Sequence, residues 1–471
     1  MGRDVRTPIG ALGRRAFLVG AGAGVGWLAT RGLGALAPSG SPAAAPRDAG
    51  ALLRALVASM RPDQRALALF PADHPSREVA NTVSFLARPH VGELFDAQQR
   101  ACIDALVDAS LSARGRTDMA ATLALEGRVG ASVLAIYGDP LEGRAQAVVA
   151  GGHYTLRAGD DGRGGALAYG QQVGNGRHRV AGNAFARHGD AANRLMAALG
   201  APSRARAIRA DAPDEFLLQP LGEGEVFPGV ARASLDGAAA DAFDALVAEV
   251  LGTFAPDAGR RVDTASLAFS VFARHGYWPD RVAFADAAPR ERTARGEPYW
   301  QVWRVEGPGV VIHFQGFPHV HAYVQATDPA FAAVGERVAR LDAPLAGDAM
   351  RAAREAAMRR ATGEALAFQR AESLGRLAAG DVTTGQLYTL EPFGNRIVVA
   401  TIDGRAMASP LRERLAAASA GAIDPARSYR VATDEYAVSL ADGFGVPSRV
   451  DVHGVEVREA LVAHARAGGL A

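Results

Sequence analysis

Three of the chain's eleven histidines, His313, His319 and His321, fall within nine residues. On a strand, residues at i and i+2 point to one face with Cα atoms roughly 6.5–7 Å apart, so His319-Val320-His321 can close on a single ion. His313 ends the apolar run from Val310, and Gly316-Phe317-Pro318 can turn it back toward the pair. His153, in Gly151-Gly152-His153-Tyr154, follows the apolar run Ala147 to Ala150 and adds a candidate ligand from a neighbouring strand. Neutral imidazoles suit Zn, Cu, Ni or Fe(II). The expectation is a divalent transition metal held by His153, His319, His321 and His313. The alternative is a polar strand face whose histidines are satisfied by backbone or water.

Other chemistry is excluded by composition. All 51 basic residues are arginine, so a phosphate-loop lysine, a Schiff base and a lysine general base are impossible. The lone cysteine, Cys102, cannot form an internal disulfide and falls on an apolar helix face with Ile103 and Leu106. The alternation Gly20 to Gly26 lacks the G-x-G-x-x-G spacing and follows no strand, so no nicotinamide, flavin or phosphate-loop nucleotide site is expected. H-E-x-x-H and G-x-S-x-G are absent too. A net charge of +1 argues against nucleic acid as a partner.

The elements that must position these residues alternate along the chain. Apolar residues recurring every three or four predict helices over 51–69 and 96–126, with Asp63 and Asp96 near their starts. Strands and turns are expected over 133–156, helices over 184–255, strands over 299–325 with a Gly-Pro turn at 307–308, and helix over 331–373. Strands and helices mix after 380, and no internal repeat is evident. The fold class expected is α+β, with two mixed α/β domains after a signal segment. The divisions are 1–45 for the signal and linker, 46–330 for a central domain, and 331–471 for a C-terminal domain.

The start resembles a twin-arginine export signal: Arg14-Arg15-Ala16-Phe17-Leu18, then a Gly-rich uncharged run to Thr30. That run is shorter than the roughly 18 apolar residues of a spanning helix, so no stable membrane span is expected. The resemblance implies a periplasmic or secreted protein handled by the twin-arginine export machinery.

Two segments near the end carry a further resemblance. Gly380 to Asn395 contains Gly-Asp-Val-Thr and Pro-Phe-Gly-Asn; Tyr429 to Phe444 contains Thr-Asp-Glu-Tyr and Ala-Asp-Gly. Together they resemble the C-terminal, substrate-binding domain of the 5'-nucleotidase family. The resemblance implies two rings that sandwich a base, Phe393 and Tyr436, with Asn395 and Asp442 hydrogen-bonding the nucleoside. The family's Asn-Gly-Gly-x-Arg is replaced by Arg370 to Arg376, without those glycines and with the arginine displaced, and its Gly-Gly-Asp-Gly by Leu440-Ala441-Asp442-Gly443. The companion two-metal phosphoesterase motifs, with ions about 3.5–4 Å apart, are not recognisable. Pro318-His319-Val320-His321 is similar to the last of them alone.

Residues 51–330 resemble a bacterial family known as domain of unknown function thirty-five hundred, through Gln64 to Pro71, Tyr137 to Pro140, Gly152 to Leu156, Glu297 to Trp300 and Val305 to His321. That family tends to carry a second histidine where Tyr154 stands and a glutamate where His313 stands. The expected function is therefore hydrolysis of a phosphoester, of a nucleotide or a related small molecule, by an exported metal-dependent nucleotidase-like protein. The alternative is a non-catalytic periplasmic metal- or nucleoside-binding protein. If the signal assignment holds, replacing Arg14 and Arg15 with Gln retains the precursor in the cytoplasm on cell fractionation; unchanged export contradicts it.

Overall fold

A computed structural model describes residues 48–78, 89–125, 129–143, 145–151, 154–159, 185–212, 226–254, 262–274, 300, 302–315, 321–326, 335–371, 374–391, 394–419 and 421–470. The export segment, His153, His319 and Phe393 lie outside them. The class is α+β, as expected.

The first run of elements is α1 (Ala49–Ser59), α2 (Pro62–Ala68), β1 (Leu69–Phe70), α3 (Val91–Leu94), α4 (Ala97–Ala109), α5 (Ala113–Leu125), β2 (Val133–Tyr137), β3 (Gln146–Ala150) and β4 (Thr155–Gly159). The second is α6 (Ala186–Ala198), α7 (Ala201–Ala207), β5 (Ile208–Asp211), β6 (Val230–Ala231), α8 (Gly237–Leu251), β7 (Ala268–Arg274), β8 (Val302–Gly307), β9 (Val310–Gln315) and β10 (His321–Ala326). Both expected N-terminal helices are broken. Pro62 cannot continue α1, because it lacks an N–H and clashes with the preceding turn. The 96–126 helix stops at Ser110 because Leu111 bridges to Phe254, while Ser112 Oγ donates to the Gly252 carbonyl at 2.7 Å.

The two runs repeat one plan, which the sequence alone did not reveal. In each, a helix is followed by a short helix with proline in its first turn. A short strand comes next and lies parallel to the next long strand. A helix preceded by aspartate, Asp96 or Asp236, then leads into antiparallel strands. Helices α4 and α8 share Asp-Ala-Leu-Val at 104–107 and 244–247, and α1 packs on α4 as α6 packs on α8. Strand order is β1-β2-β3-β4 in one sheet and β10-β9-β8-β7-β5, with β6 on β7, in the other. One face of each sheet enters a single apolar core, through Leu134, Ile136 and Leu156 from the first and Phe269, Trp303, Ile312 and Phe314 from the second.

The remaining elements are β11 (Arg337–Leu341), β12 (Leu345–Ala346), α9 (Gly347–Thr362), β13 (Leu366–Ala367), β14 (Arg376–Leu377), β15 (Gly380–Thr383), α10 (Thr384–Leu390), β16 (Arg396–Asp403), α11 (Ser409–Ser419), β17 (Ser428–Asp434), α12 (Glu435–Ser439), β18 (Arg449–Glu456) and α13 (Val457–Arg466). Only α9 realises the helix expected over 331–373. It ends at Gly363, whose φ of 74° is a left-handed cap that glycine adopts without steric cost. The sheet β13-β17-β16-β18 packs one side on α9 and α13, through Met350, Met358, Ile397, Ala432 and Leu461. Its other side buries Ala400, Ile402, Leu411, Leu415 and Phe444. Helix α10 packs on the 3-10 turn Pro75–Glu78, with the His74 and Tyr388 rings edge-on at 6.3 Å. Among the described residues no helix is long and apolar enough to cross a membrane.

One buried histidine makes the fold acid-sensitive. His188 on α6 is 1% exposed, packs on the Phe185 ring, and neither ring nitrogen has a hydrogen-bond partner among the described residues. Burial, with the nearby charges of Arg187 and Arg114, pulls its pKa from 6.5 to about 3. The neutral ring is thus the folded form. Its contribution is complete above pH 6.5 and is lost as pH falls toward 3, since the unfolded chain takes up the proton first. Urea unfolding at pH 7 and pH 5 should show His188→Leu losing about 2 kcal/mol less than the unsubstituted protein over that interval. An equal loss in both contradicts this account.

Candidate functional site

Gly394 and Asn395 of the Pro-Phe-Gly-Asn motif lead into β16. Its glycine is required by its surroundings. Gly394 has φ of 62°, and a Cβ there would lie 3.1 Å from Arg458 Nη2 and 3.4 Å from Glu456 Oε1. Arg458 itself is held flat over the Tyr388 ring at 4.6 Å, while its Nε donates to Glu456 Oε2 at 2.5 Å. The next residue, Asn395, is fixed at both ends. Its backbone carbonyl accepts from Val457 N at 2.9 Å. Its side-chain Nδ2 donates to Glu391 Oε1 at 2.9 Å.

Glu391 is buried, and its other oxygen, Oε2, accepts from Arg354 Nη1 at 3.0 Å. Arg354 projects from the middle of α9 and is 1% exposed; its Nη2 donates to the carbonyls of Leu374, at 3.1 Å, and Leu390. One guanidinium therefore joins the helix, the loop before β14 and the end of α10. Burial pushes the Glu391 carboxyl above its ordinary range, opposed by the charge of Arg354 and reinforced by that of Asp434. Burial likewise raises Asp434, which caps α12 by accepting from Ala437 N at 2.8 Å.

Tyr436 belongs to α12, the short helix that follows the neighbouring strand β17. Ile397 of β16 lies opposite Asp434 of β17, and Arg396 ion-pairs with Glu435 at 2.9 Å. Asn395 immediately precedes β16 and Tyr436 comes just after β17, so both adjoin the end of the sheet where β16 starts and β17 finishes. Tyr436 is 43% exposed, and the Arg370 guanidinium stacks over its ring at 5.5 Å. Motif spacing gives Arg370 only as part of a departed motif, whereas in the fold it covers one face of the candidate base platform. Asp442 lies in the exposed turn after α12, anchored by buried Phe444, and its carboxylate bonds to no described residue.

The central domain places the histidines differently. His313 is fully buried on β9, and its Nδ1 accepts from Arg304 Nε at 2.9 Å, with Glu306 Oε1 3.4 Å from Arg304 Nη1. Register sets Arg304 opposite His313, Tyr323 opposite His313, and His321 opposite Gln315. Positions 313, 315, 321 and 323 thus lie on one side of the hairpin. Nδ1 of His313 is thus engaged by the cross-strand arginine. Among the described residues no three His, Cys, Asp or Glu side chains gather as a metal site. Cys102 packs as expected: its Sγ donates to the Leu52 carbonyl at 3.3 Å, and burial raises its pKa.

Residues 343–421 match the family described as 5'-nucleotidase, C-terminal domain. The match covers Asn395 and Glu391 and ends before Tyr436 and Asp442. No curated protein matches the chain. Among solved structures, a 5'-nucleotidase precursor from Thermus thermophilus aligns at 15% identity over 38% of this chain and 51% of that one, with a TM-score of 0.25. A putative 5'-nucleotidase from Staphylococcus aureus, solved in complex with alpha-ketoglutarate, aligns at 10% over 36% and 48%, with a TM-score of 0.20. The chain spans about half the length of these two structures. Residues 343–421 are thus similar to a 5'-nucleotidase C-terminal domain.

The Arg354–Glu391 pair makes a stability prediction. Removing one partner strands a buried charge, so Arg354→Leu should cost about 3–5 kcal/mol in denaturant unfolding. Combining it with Glu391→Leu should recover much of that loss. Additive losses in the double variant contradict the pairing.

Proposed function

We propose that the chain binds a nucleoside or nucleotide at the end of the β16–β17 pair, through Asn395, Tyr436, Asp442 and Phe393. Hydrolysis of the nucleotide's phosphoester in the central domain completes the proposal. The observation that carries the binding half is that Asn395, held by Glu391, leads into β16 at the same end of the sheet where β17 passes into α12 and Tyr436. Chemistry supports the assignment. A flat base gains about 1–3 kcal/mol from an aromatic face, and a free carboxylate such as Asp442 accepts from ribose hydroxyls. The match to a 5'-nucleotidase C-terminal domain over residues 343–421 points the same way.

For the catalytic half, His153, His319 and His321 would hold a transition metal, which would supply Lewis-acid chemistry to a phosphoryl oxygen. His153 and His319 lie outside the described residues, and His321 opens β10. Periplasmic or secreted location, through the twin-arginine segment, belongs to the same proposal. A second reading is a binding protein without turnover, in which the hydrogen bond of His313 Nδ1 to Arg304 serves the buried sheet face.

Calorimetry with adenosine and AMP, run beside phosphate release with added Zn, Cu, Ni or Fe, separates the two readings. Phe393→Ala should weaken binding roughly 5–150-fold, from about 1–3 kcal/mol of stacking, whereas Phe393→Tyr keeps the ring and the affinity. His319→Ala with His321→Ala should abolish metal content and phosphate release while leaving nucleoside affinity unchanged. Binding without phosphate release under any of these metals selects the second reading. Absence of nucleoside binding below millimolar by the folded protein overturns the proposal.

A further inference from the structure

Glu391 determines which atom of Asn395 is left for a ligand. An ionised carboxylate only accepts hydrogen bonds. With Oε2 engaged by Arg354 Nη1 at 3.0 Å, Oε1 requires a donor, and Asn395 Nδ2 supplies it at 2.9 Å. The amide is therefore turned with nitrogen inward and Oδ1 outward. Oδ1 receives no hydrogen bond from a described residue, and Asn395 is half-buried just before β16. Its backbone cannot swing the amide elsewhere, because the carbonyl is pinned by Val457 N and the preceding Gly394 is packed under Arg458.

We infer that Glu391 is a positioning residue that makes this clamp select bases carrying an exocyclic amino group over bases carrying an oxo group at the same place. The inference rests on the nucleoside reading above. An amino group donates to the outward Oδ1. An oxo group set there places two acceptors face to face, and the protein acceptor goes unsatisfied as it is desolvated. The same rule for asparagine, which meets adenine through a donor and an acceptor edge, operates in base recognition generally.

The isosteric substitution Glu391→Gln provides a test that a merely structural role would not pass. Arg354 Nη1 can only donate, so it draws the glutamine Oε1 and leaves Nε2 facing Asn395. Asn395 must then turn its own Oδ1 inward to accept, presenting Nδ2 to the ligand. Calorimetry on the full chain with adenosine, inosine and purine riboside should give adenosine roughly tenfold or more tighter than either of the others. In the Glu391→Gln protein the order of adenosine and inosine should reverse. A purely structural contribution of Glu391 weakens all three nucleosides in parallel and keeps their order, and that outcome overturns the inference. Equal affinity of the unsubstituted protein for adenosine and inosine overturns it without any variant, while leaving the nucleoside clamp itself intact. Failure of all three to bind removes the clamp and this inference together.

Discussion

A guanidinium buried at the centre of the C-terminal domain sets the conditions for everything around it. Arg354 cannot shed its charge, and taking it out of water costs several kcal/mol unless its donors find acceptors. It finds them in the carbonyls of Leu374 and Leu390 and in the Glu391 carboxylate. These acceptors come from two separate loops, so the charge is satisfied only when both loops close on α9. Closure in turn delivers Glu391 to Asn395. The nearby Asp434, also buried, spends its carboxylate on the first turn of α12 and so places Tyr436. A stability device and a site-positioning device are here the same set of bonds.

Much of the local structure was legible from the sequence because it rests on local causes. Asp96 caps α4 through Gln99 N, and the apolar runs of 133–156 and 299–325 became β2 to β4 and β8 to β10. The misses have non-local causes. The 96–126 helix breaks because Leu111 and Ser112 pair with residues about 140 positions away. Strands β5 and β11 are short and carry arginines in place of a clear alternation, and they exist through pairing with β7 and β15. The repeated plan of the central domain was invisible for a related reason. Core packing demands apolar residues of suitable volume at given positions, not particular identities, so Ile103 and Phe243 occupy matching places and only Asp-Ala-Leu-Val survives as a shared string.

The candidate site divides in the same way. Asn395, Tyr436 and Asp442 are the positions that the family resemblance picks out, because its motifs are short local strings. Glu391 and Arg354 are not among them. They lie 37 residues apart, and nothing in either local segment announces a buried pair. His313 lies on β9, within the strand region expected, but spacing says nothing about the residue across the sheet. That residue is Arg304, whose Nε donates to the imidazole Nδ1. A polar face buried by register, with Arg304, Glu306, His313 and Gln315 all under a tenth exposed, is a property of the folded sheet rather than of any one strand.

The central claim is that the end of the β16–β17 pair is a base platform. Intermolecular NOEs between adenosine and a protein carrying labelled tyrosine test it most directly. The account predicts contacts from the base protons H2 and H8 to the Tyr436 ring, with upfield shifts of those protons from the ring current, and loss of both in Tyr436→Leu. Base contacts to other tyrosines alone, or bound adenosine with no contact to Tyr436, would contradict it.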